Sequence, residues 1–220
     1  MRNLTITLSI NYENLSEIQH DLKFFSKTKL IIVTKNQIRD DIIDLLDQGF
    51  VEFGENRVQE AFKKYDLDTR KKFQSFNLHL IGPLQSKKTS IALKLFDTIQ
   101  TIDRKKIIDT IVKESEKLNF IRTKEYFIQV NIGQEPQKFG CMPDELLSLY
   151  EYAISSNLNI VGLMCIPPND QNAEFYFQEI NNLKNTIDKN LLLSMGMSGD
   201  YKVALKYDVK YIRIGSKIFT

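Results

Sequence analysis

Cysteine is scarce in this 220-residue chain, which contains only Cys141 and Cys165. Two cysteines are too few for a disulfide framework, and their spacing is not that of a metal site. We therefore expect reduced thiols that pack in the core, and no bound metal.

Glycine (9 residues) and proline (5 residues) are also few, and no Pro/Gly/Ser-rich linker or low-complexity tract interrupts the chain. A hydrophobic fraction of 42% against 26% charged residues is typical of a globular protein. The sequence therefore predicts one domain over residues 1–220.

Long apolar runs are missing as well. The N-terminal segment Met1–Leu8 lacks the sustained apolar stretch of a signal peptide, and no later stretch nears the ~18 apolar residues that span a bilayer. We expect a soluble cytoplasmic protein with no membrane partner.

No charge of one sign dominates, since 30 Lys and Arg residues face 28 Asp and Glu residues. The basic runs are short, as in Arg70-Lys71-Lys72 and Lys87-Lys88, and are typical of solvated helix ends. Without a concentrated basic stripe, the sequence argues against a nucleic-acid partner.

Short apolar or β-branched runs do recur, and each is followed by a longer amphipathic segment. The predicted strands are Leu30-Val33, Phe50-Phe53, Leu78-Ile81, Thr98-Ile102, Tyr126-Val130, Ile160-Met164, Leu191-Ser194 and Tyr211-Ile214. The predicted helices are Tyr12-Phe24, Ile38-Gln48, Arg57-Lys64, Ser86-Leu95, Arg104-Leu118, Asp144-Ser156, Gln171-Ile187 and Gly199-Tyr207. This alternation predicts an α/β fold, a single (β/α)8 TIM-type barrel whose first helix closes the outer ring.

An open doubly wound sheet is the alternative, and it would place a glycine-rich turn after the first strand. Thr34-Lys35-Asn36 stands there instead. Lys35 ends an apolar run at the predicted mouth of the barrel, where burial would lower its pKa and make the free amine a nucleophile toward an aldehyde. The alternatives for this lysine are an ion pair with Glu55 or simple exposure to solvent.

The last two strands are followed by small residues, namely Gly196, Ser198, Gly215 and Ser216. Loops at this place in a barrel commonly bind phosphate through backbone N–H groups and hydroxyls, although ordinary turns use the same residues. Arg213 lies inside the last strand, where it either faces a ligand nitrogen or pairs with a carboxylate such as Glu52.

Several motifs together resemble the pyridoxal phosphate (PLP) homeostasis proteins of the YggS/PROSC type, relatives of the alanine racemase N-terminal barrel. They are Val33-Thr34-Lys35, Phe53-Gly54-Glu55-Asn56-Arg57-Val58-Gln59-Glu60, His79-Leu80-Ile81-Gly82-Pro83-Leu84-Gln85-Ser86-Lys87, Val130-Asn131-Ile132-Gly133, Gly162-Leu163-Met164-Cys165-Ile166-Pro167, Leu193-Ser194-Met195-Gly196-Met197-Ser198 and Arg213-Ile214-Gly215-Ser216-Lys217-Ile218-Phe219.

The resemblance implies PLP as cofactor, with Lys35 as the Schiff-base lysine and Arg213 at the pyridine nitrogen. It also implies a phosphate site and further pocket-lining residues, and the complete set of implied cofactor-binding residues is Lys35, Asn56, His79, Met164, Ser198, Arg213, Gly215 and Ser216. No catalytic residue is expected among them.

The expected function is intracellular homeostasis of PLP and related B6 vitamers without turnover. A racemase needs a second acid/base group opposite its lysine, and 220 residues leave no second domain to supply one. Without that domain the racemase dimer interface is also missing, so we expect a monomer. The resemblance implies that it meets apo PLP-dependent enzymes transiently. The alternatives are a weak amino-acid racemase and a cofactor-free Schiff-base lyase acting on a phosphorylated sugar.

A basic rim is a further hypothesis. Lys138, Lys206 and Lys217 would surround the mouth and attract an anionic cofactor, and Lys138 would offer a second amine for attachment. Ordinary solvated lysines are the alternative.

Overall fold

The structure is a computed structural model, which describes residues 10–73, 75–170 and 172–219, without the side chain of Leu67. Two of the regions discussed above, the segment Met1–Leu8 and the predicted helix start at Gln171, lie outside the described residues.

Eight parallel strands form a closed barrel in the order in which they occur along the chain. Their bounds are β1 Lys29–Val33, β2 Glu52–Glu55, β3 Asn77–Leu80, β4 Thr98–Ile102, β5 Glu125–Val130, β6 Ile160–Cys165, β7 Leu192–Ser194 and β8 Tyr211–Ile214. Strand β1 pairs with both β2 and β8, which closes the sheet and confirms the predicted barrel.

Helices alternate with the strands around the outside. They are α1 Tyr12–Leu22, α2 Arg39–Asp47, α3 Val58–Lys64, α4 Leu67–Lys72, α5 Thr89–Leu95, α6 Lys105–Ser115, α7 Leu146–Ser155, α8 Ala173–Ile187 and α9 Tyr201–Ala204. Short 3-10 turns at Ser86–Lys88, Pro143–Glu145 and Leu205–Tyr207 replace part of three predicted helices.

Helix α1 packs against the chain that follows β8. The side chain of Asn11 caps the helix by accepting from the backbone N–H of Asn14. The Asn11 backbone N–H donates to the Ile218 carbonyl oxygen at 2.7 Å, and the Asn14 amide donates to the Lys217 carbonyl oxygen at 2.8 Å. The leading helix therefore closes the outer ring, as the sequence predicts.

The second strand is shifted by two residues at both ends, since we expected Phe50-Phe53 and the structure has Glu52–Glu55. We expected it to end at Phe53, but Gly54 and Glu55 belong to it. A side chain at Gly54 would lie 2.8 Å from Ile31 Cγ2, so the inward-facing glycine makes room for its neighbour on β1. Packing across the barrel thus overrides the low strand propensity of glycine.

The two sides of the sheet face different surroundings. Residues such as Ile32 and Phe53 pack outward against the helices in one large core. A smaller cluster is formed by Ile31, Phe127, Met164 and Tyr211. Ile31 alternates with the outward-facing Ile32, which places this cluster inside the barrel.

Candidate functional site

The carboxyl ends of all eight strands meet at one mouth of the barrel. Lys35 lies there, two residues beyond the end of β1, and its side chain is exposed. Our expectation that Lys35 is buried is therefore wrong, and the alternative of exposure to solvent is what the structure contains. The residue lies in a turn closed by the bond from the Gln37 backbone N–H to the Thr34 carbonyl oxygen at 3.1 Å.

The backbone before Lys35 is firmly held. The Thr34 hydroxyl donates to Glu55 Oε1 at 2.7 Å and lies 2.8 Å from the hydroxyl of Tyr65, and all three side chains are buried. Glu55 pairs with Lys64 at 3.0 Å, so an ion pair between Glu55 and Lys35 is not what the structure contains. Burial raises the pKa of Glu55 even though Lys64 and Thr34 oppose that shift.

The loops after β7 and β8 converge beside β1. The hydroxyl of Ser216 donates to the hydroxyl of Ser198 at 3.0 Å. Gly196 has a φ of +91°, which favours glycine and allows the sharp turn after β7. A side chain at Gly215 would lie 3.0 Å from the Val33 carbonyl oxygen, so glycine brings this loop close to the end of β1.

Arg213 lies inside the barrel and is only 3% exposed. One Nη group donates to Ser194 Oγ at 2.9 Å, and the other donates to the Cys165 carbonyl oxygen at 2.8 Å. Burial lowers the pKa of the guanidinium from its ordinary value. Glu52 is not its partner, because that carboxylate bonds to Lys29 and His79 instead.

The other predicted pocket residues differ in burial and in their distance from the mouth of the barrel. Asn56 is half-buried and lines a cavity of about 330 Å³ with Pro83 and Gln85 at the mouth. His79 and Met164 are fully buried. Met164 belongs to the cluster inside the barrel, and the ring of His79 contacts Tyr211 edge-on at 4.9 Å between centroids.

Sequence reasoning missed two buried polar side chains, Gln100 on β4 and Ser194 on β7. Ser194 Oγ donates to Gln100 Oε1 at 2.6 Å, and Gln100 Nε2 lies 3.1 Å from Nδ1 of His79. The available signal was a polar residue within a strand predicted to be buried, because such a residue needs a hydrogen-bond partner.

The three lysines of the basic-rim hypothesis all have acidic partners. Lys138 pairs with Glu135 and also donates to the Pro167 carbonyl oxygen at 3.3 Å. Lys217 pairs with Glu17 at 2.8 Å, and Lys206 pairs with Glu174 at 2.9 Å. Each neighbouring carboxylate weakens the attraction that the lysine exerts on a distant anion.

In the part of the chain that the structure describes, no group of three or more His, Cys, Asp or Glu side chains is arranged to hold a metal ion. The same residues include no helix with the length and apolar character needed to cross a membrane.

Curated proteins of similar sequence span nearly the whole chain. The pyridoxal phosphate homeostasis protein of Buchnera aphidicola is 36% identical over 234 aligned residues, which cover 100% of this chain and 98% of that relative. The protein of the same name from Aquifex aeolicus is 34% identical over 204 residues, covering 87% of this chain and 86% of the relative. The chain belongs to the pyridoxal phosphate homeostasis protein family. No model of a protein family matches it.

Solved structures show how this family member relates to known barrels. PipY from Synechococcus elongatus with PLP bound superimposes with a TM-score of 0.82 at 28% identity, covering 94% of this chain and 99% of PipY. Alanine racemase from Acinetobacter baumannii gives a TM-score of 0.70 at 15% identity, covering 94% of this chain and 61% of the racemase. The racemase comparison shows a shared fold.

Proposed function

We propose that this chain binds PLP at the mouth of its barrel, with covalent attachment to Lys35, and takes part in homeostasis of PLP and related B6 vitamers without catalytic turnover. The observation that carries the proposal is the convergence of three chemically distinct groups on neighbouring strands. An exposed amine follows β1, paired serine hydroxyls follow β7 and β8, and a buried guanidinium lies on β8.

These groups fit the cofactor. When bound, PLP supplies an aldehyde that reacts with amines, a phosphate, and a pyridine ring that accepts electron density. Ser198 and Ser216 offer hydroxyl donors to phosphate oxygens, and Gly215 allows the backbone to approach closely. Among the described residues, no acceptor for the backbone N–H groups of Gly215 and Ser216 is found, which leaves both able to donate.

Covalent attachment is assigned to Lys35. Its side chain is exposed, so the amine is accessible. The backbone just before it is held by the buried hydrogen bonds of Thr34 with Glu55 and Tyr65. Because β1 pairs with β8, Lys35 in the turn after β1 is a neighbour of the loop after β8, and it would hold the aldehyde end of a ligand whose phosphate lies at Ser216.

The remaining predicted residues receive subordinate roles. Asn56 lines the mouth from the β2 side, and Met164 lies in the apolar cluster inside the barrel. His79 is enclosed by Glu52, Gln100 and Tyr211, so we assign it an indirect effect on the ligand.

Arg213 supports the proposal that the bound cofactor is not used for turnover. A guanidinium has only donors and stays protonated, so it leaves a facing pyridine nitrogen without a proton of its own. An unprotonated pyridine withdraws electrons weakly from a bound amino acid, which disfavours transamination and decarboxylation. The names of the relatives and the PLP-bound PipY structure support a role in PLP homeostasis. The proposal extends this role to transient contact with apo PLP-dependent enzymes.

The decisive experiment is an absorption spectrum of the purified protein with PLP, recorded before and after borohydride and followed by peptide mapping. We expect a visible band in the wild type and in Lys138→Ala, no such band in Lys35→Ala, and a phosphopyridoxyl group on Lys35. A wild type that neither retains PLP nor gains a band would contradict the proposal and favour the sugar-lyase alternative.

Turnover is tested separately by incubating the PLP-loaded protein with L-alanine in deuterium oxide. We expect exchange of the α-hydrogen no faster than with free PLP at the same concentration. Exchange that exceeds this rate and is lost in Lys35→Ala would establish the racemase alternative.

A further inference from the structure

A continuous chain of hydrogen bonds crosses the interior of the barrel. It starts at the amino end of β1 and finishes at the guanidinium that we place beside the ligand. Its members, from one end to the other, are Lys29, Glu52, His79, Gln100, Ser194 and Arg213. The donor–acceptor distances along it are 2.5, 2.8, 3.1, 2.6 and 2.9 Å.

The direction of every bond follows from Arg213. A guanidinium has no acceptor, so Ser194 Oγ must accept from Arg213, and its own proton then goes to Gln100 Oε1. This orientation turns the Gln100 amide nitrogen toward His79 Nδ1, which accepts. His79 therefore carries its proton on Nε2.

The far end of the chain completes this arrangement. The Nε2 proton of His79 is donated to Glu52 Oε2, while Lys29 donates to Oε1 of the same carboxylate. Burial opposes ionisation of Glu52, but the bonds from His79 and Lys29 outweigh it and lower the pKa of the carboxyl. Because the Glu52 carboxylate is an anionic acceptor, it favours the arrangement in which the donors from Arg213 to His79 all point toward Glu52.

These hydrogen-bonded side chains lie in the barrel interior, where a polar group without a hydrogen-bond partner lowers the stability of the fold. His79, Gln100 and Ser194 are fully buried, and Glu52 is 4% exposed. A buried network in which every polar group has a partner fixes side-chain orientation, whereas removing one link leaves unsatisfied groups on both sides. No ion pair of Arg213 occurs among the described residues, so Ser194 and the Cys165 carbonyl orient its Nη groups.

We propose that Ser194, Gln100, His79 and Glu52 are positioning residues that hold the Arg213 guanidinium in the orientation required for the pyridine nitrogen. This inference rests on the proposed PLP function. It gives His79 a definite role: its Nδ1 accepts from the Gln100 amide, and this bond together with the one from Ser194 holds the Gln100 side chain in place beneath Arg213.

The first arm of the test needs no ligand. In a held guanidinium, rotation about the Cζ–Nη bonds is hindered, so the Nη protons of Arg213 should give separate signals in the ¹⁵N spectrum, assigned by their loss in Arg213→Lys. We expect these signals to average in Ser194→Ala and to stay separate in Ser194→Thr, which keeps the hydroxyl. Thr89→Val removes another buried hydroxyl, on α5, and serves as the control.

The second arm measures PLP affinity in a double-mutant cycle. Removal of a buried hydrogen bond to a charged group is expected to weaken PLP binding about tenfold in Ser194→Ala, and Gln100→Leu should act in the same direction. If Ser194 acts through Arg213, Ser194→Ala adds no further loss in an Arg213→Met background. Thermal melting of each variant separates loss of stability from loss of affinity.

The outcomes distinguish the two proposals. If the wild type does not bind PLP, the proposed function is wrong. The ligand-free ¹⁵N spectra still show whether the hydrogen bonds from Ser194 and its partners hold the Arg213 guanidinium in place. Unchanged Arg213 signals in Ser194→Ala, or losses of PLP affinity that add fully in the double variant, would overturn the positioning role.

Discussion

Lys64 Nζ lies 2.6 Å from the carbonyl oxygen of Thr34, the residue immediately before Lys35. The same ammonium pairs with the buried Glu55 at 3.0 Å and with Glu60 at 2.6 Å. One side chain on α3 therefore fixes the end of β1 and neutralises the carboxylate beneath it.

The first prediction concerns Lys64→Met. Removing one partner of a buried ion pair leaves an uncompensated charge, so we expect a loss of about 3 kcal/mol in the free energy of unfolding at neutral pH. Urea denaturation measures this loss. Because burial already raises the pKa of Glu55, the variant should regain part of its stability as falling pH protonates that carboxyl.

Lys63→Met is the matched control, since Lys63 is the neighbouring lysine on the same helix and is exposed. Its free energy of unfolding should change by less than about 0.5 kcal/mol. Equal effects of the two substitutions would contradict the role assigned to Lys64.

The second prediction is an acid dependence that originates at Glu52. Burial opposes its ionisation, but His79 and Lys29 lower its folded-state pKa below the ordinary value of 4.5. A carboxyl with a lowered pKa adds stability that is fully present above its unfolded-state pKa and is lost as pH falls through the folded-state pKa.

We therefore expect Glu52→Gln to be less stable than the wild type at pH 6, with a gap that narrows steadily below about pH 4.5. Urea denaturation across this range provides the measurement, and Glu13→Gln, which changes an exposed carboxylate on α1, provides the comparison. A gap that is constant or widens toward low pH would show that Glu52 is not stabilised as an anion.

Most of the barrel could be predicted because short apolar or β-branched runs recur along the sequence and each is followed by a longer amphipathic segment. Helix α4 could not. Its sequence LDTRKK has no apolar periodicity, and it depends on contacts distant in sequence, such as Arg39 with Asp66 at 2.9 Å and Arg70 with Asp97 at 2.7 Å.

The candidate site divides in the same way. The positions of Lys35 and of the two serine loops follow from their place after strands, which local pattern reveals. The bond between Gln100 and Ser194 joins residues 94 positions apart, and neither side chain belongs to a motif whose spacing suggests the other. Only the closure of the barrel brings them together.

The third prediction concerns Gly162 on β6. A Cβ atom there would lie 2.4 Å from both the Leu192 carbonyl oxygen and Phe127 Cε1. Neither atom moves easily inside a closed barrel, so we expect Gly162→Ala to lower the free energy of unfolding by about 1–3 kcal/mol. Denaturant unfolding tests this, with Gly199→Ala as control because nothing lies within 4 Å of its Cβ position. A fully stable Gly162→Ala would mean that the barrel interior relaxes more than these contacts indicate.

The last prediction concerns the reactivity of the two cysteines. Cys141 and Cys165 are free and buried, and burial raises the pKa of each thiol to about 12. Since only the thiolate attacks alkylating reagents, both side chains should be protonated and inaccessible at pH 8. We expect no iodoacetamide labelling of the folded protein over a period in which urea-unfolded protein is labelled at both positions, as measured by mass spectrometry.

Cys165→Ala should leave Cys141 as the sole labelled residue after unfolding. Rapid modification of either thiol in the folded protein would show that its strand or loop opens to solvent, and the position labelled would identify which part of the β5–β6 wall does so.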